Sequence, residues 1–144
     1  LRVLFDSSVL VAAMVDAHPD HERARPWLER ARAGRLEYLV AAHSLAEVYA
    51  VLSGLPTSPR ISPGLAALLV EENVRKPATV VALGAADYGA VLVKLSGLGL
   101  AGGVVYDGLI ARAAQKAKVD RLLTLNRGDF VRVWPEGRDV IAVP

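Results

Sequence analysis

Three carboxylates stand alone in apolar surroundings at well-separated points of this sequence. Asp6 ends the run Leu1-Arg2-Val3-Leu4-Phe5. Glu47 is the only charge between Ser44 and Leu52. Asp107 follows Gly103-Val104-Val105-Tyr106 and opens the stretch Gly108–Ala117. A carboxylate in apolar company is costly unless something compensates it. Several that converge repel one another, and a divalent cation is the usual compensation. Asp129 is a candidate fourth acid. Acidic oxygens with water suit Mg2+ or Mn2+, which can polarise a phosphoryl oxygen and lower the pKa of a bound water. That is the chemistry of phosphodiester hydrolysis, so the acids read as the metal ligands of a metal-dependent enzyme.

Each acid also has a plainer reading. Asp6 could cap a helix over Ser8–Val15, and Asp107 could cap one over Gly108–Ala117. Ser44-Leu45-Ala46-Glu47 fits a capping box, in which the glutamate reaches back to the serine amide. Against that, Glu47 faces away from the Leu45/Val48/Leu52 stripe and shares its face with Ala46, Ala50 and Val51, which points to a buried site. Asp129 follows Gly128 in what reads as a loop, so it is expected to position a metal less rigidly than Asp6. His18, His21 and His43 do not form a zinc set, because no partner clusters with them. All three read as solvated or helix-capping. Trp27 and Trp134 read as packing residues.

The elements that would bring these acids together alternate along the chain. Strands are expected at Val3–Phe5, Tyr38–Val40, Thr79–Leu83, Leu122–Thr124 and Val140–Ala142. Helices are expected at Ser8–Val15, Asp20–Ala33, Ser44–Leu52, from Ser62-Pro63 to about Lys76, at Ala85–Leu95 and at Asp107–Ala117. This order predicts a single domain over residues 1–144. Its fold class is α/β, a three-layer α/β/α sandwich with a mostly parallel central sheet. Functional groups gather at the carboxyl ends of strands in such a sheet. Asp6 and the segment Thr124–Asp129 lie at such ends, and Glu47 and Asp107 fall in the first turns of helices entering from that edge.

Bulk composition narrows the class. The 144 residues are 53% hydrophobic, with a mean hydropathy of +0.33. No apolar run is long enough to span a bilayer, since Ala78–Gly103 is broken by Asp87, Lys94 and its glycines. The excess apolarity points to a sheet buried on both faces or to an oligomer interface. Cysteine is absent, which removes disulfides, thiolate metal sites and a cysteine nucleophile. With no signal peptide expected before the opening strand, the chain reads as cytoplasmic. Net charge is +2, and arginine dominates the basic residues. Its planar fork suits phosphate, although codon bias explains it as simply. Arg60, Arg112 and Arg127 lie near the acids in sequence and are expected to line a substrate groove.

The chain resembles PIN-domain ribonucleases, in particular the toxin half of VapBC-type toxin–antitoxin pairs. The segments that carry the resemblance are LFDSSVLVAA, AHPDHERARPWLERA, AHSLAEVYAVLSGLP, VYDGLIARAA and LLTLNRGDF, five in order over almost the whole length. The resemblance implies that Asp6, Glu47 and Asp107 bind metal and that Ser8 and Thr124 orient the site through their hydroxyls. Asn126 stands where many relatives carry aspartate, and Asp129, three residues on, is the candidate replacement. One-metal and two-metal catalysis both stay open. The resemblance also implies an RNA substrate, a homodimer and a cognate antitoxin.

Three other readings compete. A receiver-like module would need an acidic pair after the first strand and a lysine after the last. Here Ser7-Ser8 follow Asp6, and no lysine lies beyond Lys118. A PIN-like interaction module without catalysis would not need all three acids. A DNA-directed 5′-nuclease of related fold usually carries insertions for which 144 residues leave little room.

Overall fold

A computed structural model describes residues 1–144. Five strands and seven helices follow one another as β1 (Arg2–Phe5), α1 (Ser7–Met14), α2 (His21–Arg32), β2 (Glu37–Ala41), α3 (Ala42–Gly54), α4 (Pro63–Val70), β3 (Thr79–Val81), α5 (Ala85–Gly97), α6 (Val104–Lys116), β4 (Arg121–Leu123), α7 (Arg127–Val133) and β5 (Ile141–Ala142). A π turn, Glu71–Arg75, extends α4, and a 3-10 turn, Pro135–Gly137, precedes β5. The sheet order is β3-β2-β1-β4-β5 and every pairing is parallel. The expected sandwich is therefore present, with a wholly parallel sheet. No helix is long and apolar enough to cross a membrane.

Both faces of the sheet are covered, which explains the unbroken apolar strands. Side chains alternate along β1: Val3 and Phe5 pack on one face, Leu4 on the other. The first face meets α1–α4 through Val9, Leu10, Leu28, Val48, Leu52 and Val70. The second meets α5–α7 through Val91, Leu95, Leu109, Ile110 and Phe130. Tyr38 on β2 meets Phe5 edge-on, with ring centroids 4.9 Å apart. Register is direct at the centre, Leu4 lying opposite both Leu39 and Leu122.

The topology dictates where a cleft opens. The chain leaves β1 toward β2 and β3, then returns to the other side for β4 and β5, so β1 sits where the strand order reverses. Connections depart to opposite sides there, leaving a crevice at the strands' carboxyl ends.

Several expected boundaries shift. Helix α6 begins at Val104, three residues before Asp107, so Asp107 is a first-turn residue and not the cap. Val104 and Val105 are only half-buried and go into the helix rather than the sheet. Helix α3 begins at Ala42, which puts Ser44 inside it and Glu47 in its second turn. Gly128-Asp129, read as a loop, lies in the first turn of α7. Phe130, fully buried, and Val133 anchor that short helix to the second core; tertiary packing supplies what seven residues cannot supply alone.

One glycine matters to the site. A Cβ on Gly108 would meet Val91 Cγ1 at 3.0 Å and Leu95 Cδ1 at 3.4 Å. Its missing side chain lets α6 lie close on α5, and it follows Asp107 directly.

Candidate active site

Asp6 occupies the N-cap position of α1, but its side chain makes no capping bond. Its backbone carbonyl accepts from Val9 N (3.1 Å) and Leu10 N (3.2 Å), while its carboxylate turns into the cleft. It is 3% exposed. Ser8 Oγ donates to Asp6 Oδ2 at 2.6 Å and Thr124 Oγ1 donates to the same oxygen at 2.8 Å. Each hydroxyl is held in that role from behind, because Leu125 N donates to Ser8 Oγ (3.1 Å) and Asn126 N donates to Thr124 Oγ1 (2.9 Å). Each hydroxyl accepts one backbone N–H and gives its own proton to the acid. Burial raises the Asp6 pKa, the two hydroxyl bonds pull it back down, and Glu47 raises it again.

Glu47 and Asp107 enter from opposite sides. Ser44 Oγ accepts from Ser7 Oγ at 3.0 Å, deep in the protein. The capping-box reading of Ser44 and Glu47 is thus excluded, since Ser44 lies inside the helix and Ala41 occupies the cap. Glu47 Oε2 instead pairs with His43 Nε2 at 3.0 Å. The face that Glu47 shares with Ala46, Ala50 and Val51 is exposed rather than buried, and Val51 forms part of the cleft wall. An open cleft, not an enclosed core, receives that face. Asp107 is half-buried, and its pKa is pushed up to about 7, first by burial and then by the negative charges of Asp6, Asp129 and Glu47. Asp107 thus feels the charge of each of the other three acids.

A cleft of about 500 Å³ holds Asp6, Ser8, Glu47, Asp107 and Asn126 in its lining. Thr124 lies behind the cleft, acting on it through Asp6. Asn126 caps α7 through its position, without a side-chain cap bond. Asp129 stands apart from the lining, in the first turn of α7. It is not a loop residue: its amide donates to Asn126 O at 3.1 Å. Its carboxylate is half-exposed and lies 3.9 Å from Arg132. Asp6, Glu47 and Asp107 line a common space without being drawn tight, and no three acidic or histidine side chains are gathered closely enough to grip an ion as they stand. Repulsion between like charges adds to burial in raising the Asp107 pKa.

The expected arginine groove is not built. Arg112 pairs with Asp87 at 3.1 Å, and Arg127 donates to the carbonyls of Ile141 (3.2 Å) and Arg138 (3.1 Å). Arg60 is exposed in the segment between α3 and α4. None of the three lines the cleft. Proximity in sequence to an acid misled here because Arg112 and Arg127 are held by partners outside the cleft and Arg60 lies on the connection beyond α3.

The histidines differ from expectation as well. His21 is buried, its Nδ1 2.8 Å from Ala12 O and its Nε2 3.3 Å from Asp16. His18 lines the cleft beside Asp20, and its Nδ1 accepts from Asp20 N at 3.0 Å. His43 bonds Glu47 and stacks on Tyr106. The His43–Glu47 spacing of four was a helix-face signal legible in the sequence. Nothing local pointed to His18 and Asp20, which lie on the α1–α2 connection and share the cleft lining with Asp6, Leu125 and Asn126. Trp134 is buried, as expected of a packing residue. Trp27 is half-buried, with Arg30 stacked on it at 4.8 Å.

A parallel sheet ordered 3-2-1-4-5, with acids converging at its central switch point, agrees with the sequence family that the chain matches: residues 3–133 fit the PIN domain model, and the chain belongs to the PIN domain family. Among characterised relatives it is 30% identical over 115 residues to Ribonuclease VapC27 of Mycobacterium tuberculosis, covering 80% of this chain and 78% of that one. It is 35% identical over 120 residues to Ribonuclease VapC40 of the same species, covering 83% and 82%. In fold it is similar to the crystal structure of VapBC2 from Rickettsia felis bound to a DNA fragment from their promoter, with a TM-score of 0.70 at 19% identity over 100% of this chain and 99% of that one. It is likewise similar to FitAcB from Neisseria gonorrhoeae, with a TM-score of 0.67 at 18% identity over 98% and 95%.

Proposed function

We propose that this chain is a divalent-metal-dependent endoribonuclease that hydrolyses RNA phosphodiester bonds, working as one nuclease unit and as the toxin of a VapBC-type pair. The observation that carries the reading is the cleft that brings Asp6, Glu47, Asp107 and Asn126 together and offers oxygen donors and no thiolate; burial and the neighbouring acids raise the Asp107 pKa there. The ribonuclease names of its relatives support the substrate class.

The donor set fits Mg2+ or Mn2+: carboxylates with hydroxyl and amide support, open to water. Asp6, Glu47 and Asp107 would hold the ion, with Asn126 or Asp129 completing the set. When bound, the ion supplies charge neutralisation at the phosphoryl group and acidifies water. The chain's own residues do the rest. Ser8 and Thr124 fix Asp6 Oδ2, so that rotation of this carboxylate is suppressed and its other oxygen is left to the cleft. Asn126 and His18 are the nitrogen-bearing side chains on the lining, and they are placed to donate to a substrate phosphate. The VapBC name of the Rickettsia complex supports an antitoxin partner for this chain, and the exposed Tyr88, Leu92 and Val93 on α5 support a homodimer.

The purified protein, incubated with a pool of structured RNAs, should cleave in Mg2+ or Mn2+ and stop in chelator. An Asp6→Asn variant should lose about 10²-fold or more of that activity. Undiminished cleavage in chelator, or by Asp6→Asn, sinks the reading. A small antitoxin-like reading frame beside the gene is the complementary check on the toxin assignment.

A further inference from the structure

His43 touches both helices that carry cleft acids. It lies one turn before Glu47 on α3, and its Nε2 is 3.0 Å from Glu47 Oε2. An ionised carboxylate only accepts, so this nitrogen carries the proton and donates. The imidazole also lies flat against Tyr106, with centroids 5.0 Å apart and planes 2° from parallel. Tyr106 directly precedes Asp107 on α6. One ring thus spans from the Glu47 carboxylate to the residue adjoining Asp107.

We propose that His43 and Tyr106 form a tether that sets the spacing of Glu47 and Asp107 and presents Glu47 Oε1 to the divalent cation; this rests on the metal-dependent nuclease reading above. Glu47 has three rotatable side-chain bonds and is one-third exposed, with 32% of its side chain open to solvent. Without a partner it would sample many orientations, and each would have to be given up on binding. The His43 bond occupies Oε2 and fixes the rotamer, leaving one oxygen for the ion. The stack acts between helices. The acids on α3 and α6 repel, and opening the cleft would pull Tyr106 off the imidazole and return both ring faces to water. Tyr106 is otherwise an unexplained exposed aromatic, at 51%, and the stack gives it a role. Both are positioning residues: they act on the ion through Glu47 and Asp107. Supporting groups of this kind change metal affinity without being ligands.

The test is Mn2+ binding to the full chain, read from loss of the free-ion electron paramagnetic resonance signal, with single-turnover RNA cleavage alongside. His43→Ala should weaken Mn2+ about 10- to 100-fold, the range typical of losing a partner that orients a ligand. His43→Gln, which keeps an amide donor within reach of Glu47, should recover part of that loss. Tyr106→Ala should weaken Mn2+ by a smaller factor. In a Glu47→Ala background His43→Ala should cause a smaller loss, because the bond to Glu47 is already gone and only the stack on Tyr106 is left to cut. Parent-like Mn2+ affinity in His43→Ala, or an undiminished effect in the Glu47→Ala background, overturns the tether. Should His43→Ala fail to fold, Tyr106→Ala decides alone, since it trims a half-exposed side chain: parent-like affinity there overturns the proposal. A parent protein that neither binds Mn2+ nor cleaves RNA overturns the nuclease reading and the tether with it. A parent that does both, beside variants that match it, overturns only the tether.

Discussion

The acids of this cleft differ in how they are held, and the differences predict different mutational costs. Asp6 is fixed at the end of a buried strand by two hydroxyls that are themselves fixed by backbone amides. Asp6→Asn should lower single-turnover cleavage by about 10²-fold or more, since loss of a mere supporting partner already costs about 10–100-fold. Asp129→Asn should cost less, because its carboxylate is half-exposed, borders Arg132 and stands off the lining. An Mn2+ titration of both variants checks the ranking, and equal inactivity would make Asp129 a direct ligand. Asp107 carries a pH signature. Its folded pKa of about 7 lies above the ordinary 3.8, so the metal-free fold favours its protonated form. That stability is fully present below about pH 4 and is lost as pH rises through 7. In chelator, parent melting temperature should fall across this window more steeply than that of Asp107→Asn. The variant should be the more stable at pH 8 and the two should converge near pH 4. Relief of active-site strain on removing a catalytic group is a common pattern. Parallel melting curves across the range would contradict it.

At the scale of elements, the cleft depends on how closely α6 lies on α5. Gly108 permits that approach, and Asp107 precedes it. Gly108→Val would drive a branched side chain into Val91 and Leu95. Overpacking of this kind costs about 1–3 kcal/mol, and α6 would have to shift and carry Asp107 with it. The expected outcome is a lower melting temperature together with weaker Mn2+ binding. Retention of full Mn2+ affinity would show that α6 moves without disturbing the acid. The helices were mostly legible beforehand: Ser62 caps α4 as its type predicts, accepting from Leu65 N at 3.1 Å, and Leu109, Ile110, Ala113 and Ala114 form the buried side of α6. Helix α7 was not, because seven residues containing Gly128 have little helical signal of their own. Phe130 and Val133 are held by the core, and that packing makes the helix.

For the whole molecule, the surface carries its own information. Helix α5 buries Val91 and Leu95 but leaves Tyr88, Leu92 and Val93 exposed. Adjacent apolar side chains of this size on one outer face mark an interaction surface, and a second copy is the occupant that the proposed homodimer supplies. Leu92→Glu combined with Val93→Glu should convert a dimer to a monomer in sedimentation velocity while leaving the fold intact, since neither side chain is in the core. A parent that sediments as a monomer at micromolar concentration would remove this assignment.

Sequence by itself determined the class of this protein. The alternation of elements, the apolar strands and the isolated acids are local properties, written by side-chain type and period, and they led to an α/β sandwich with Asp6, Glu47 and Asp107 on one edge. Tertiary structure alone decided the rest. Which oxygen of Asp6 is held, whether Glu47 caps a helix or bonds His43, and where Arg60, Arg112 and Arg127 point all depend on contacts between residues far apart in the chain. His18 and Asp20 entered the cleft, and the arginines stayed out of it, for the same reason. Local periodicity sets which face of a helix a residue occupies. Only the packing of that helix against the sheet sets what the face looks upon.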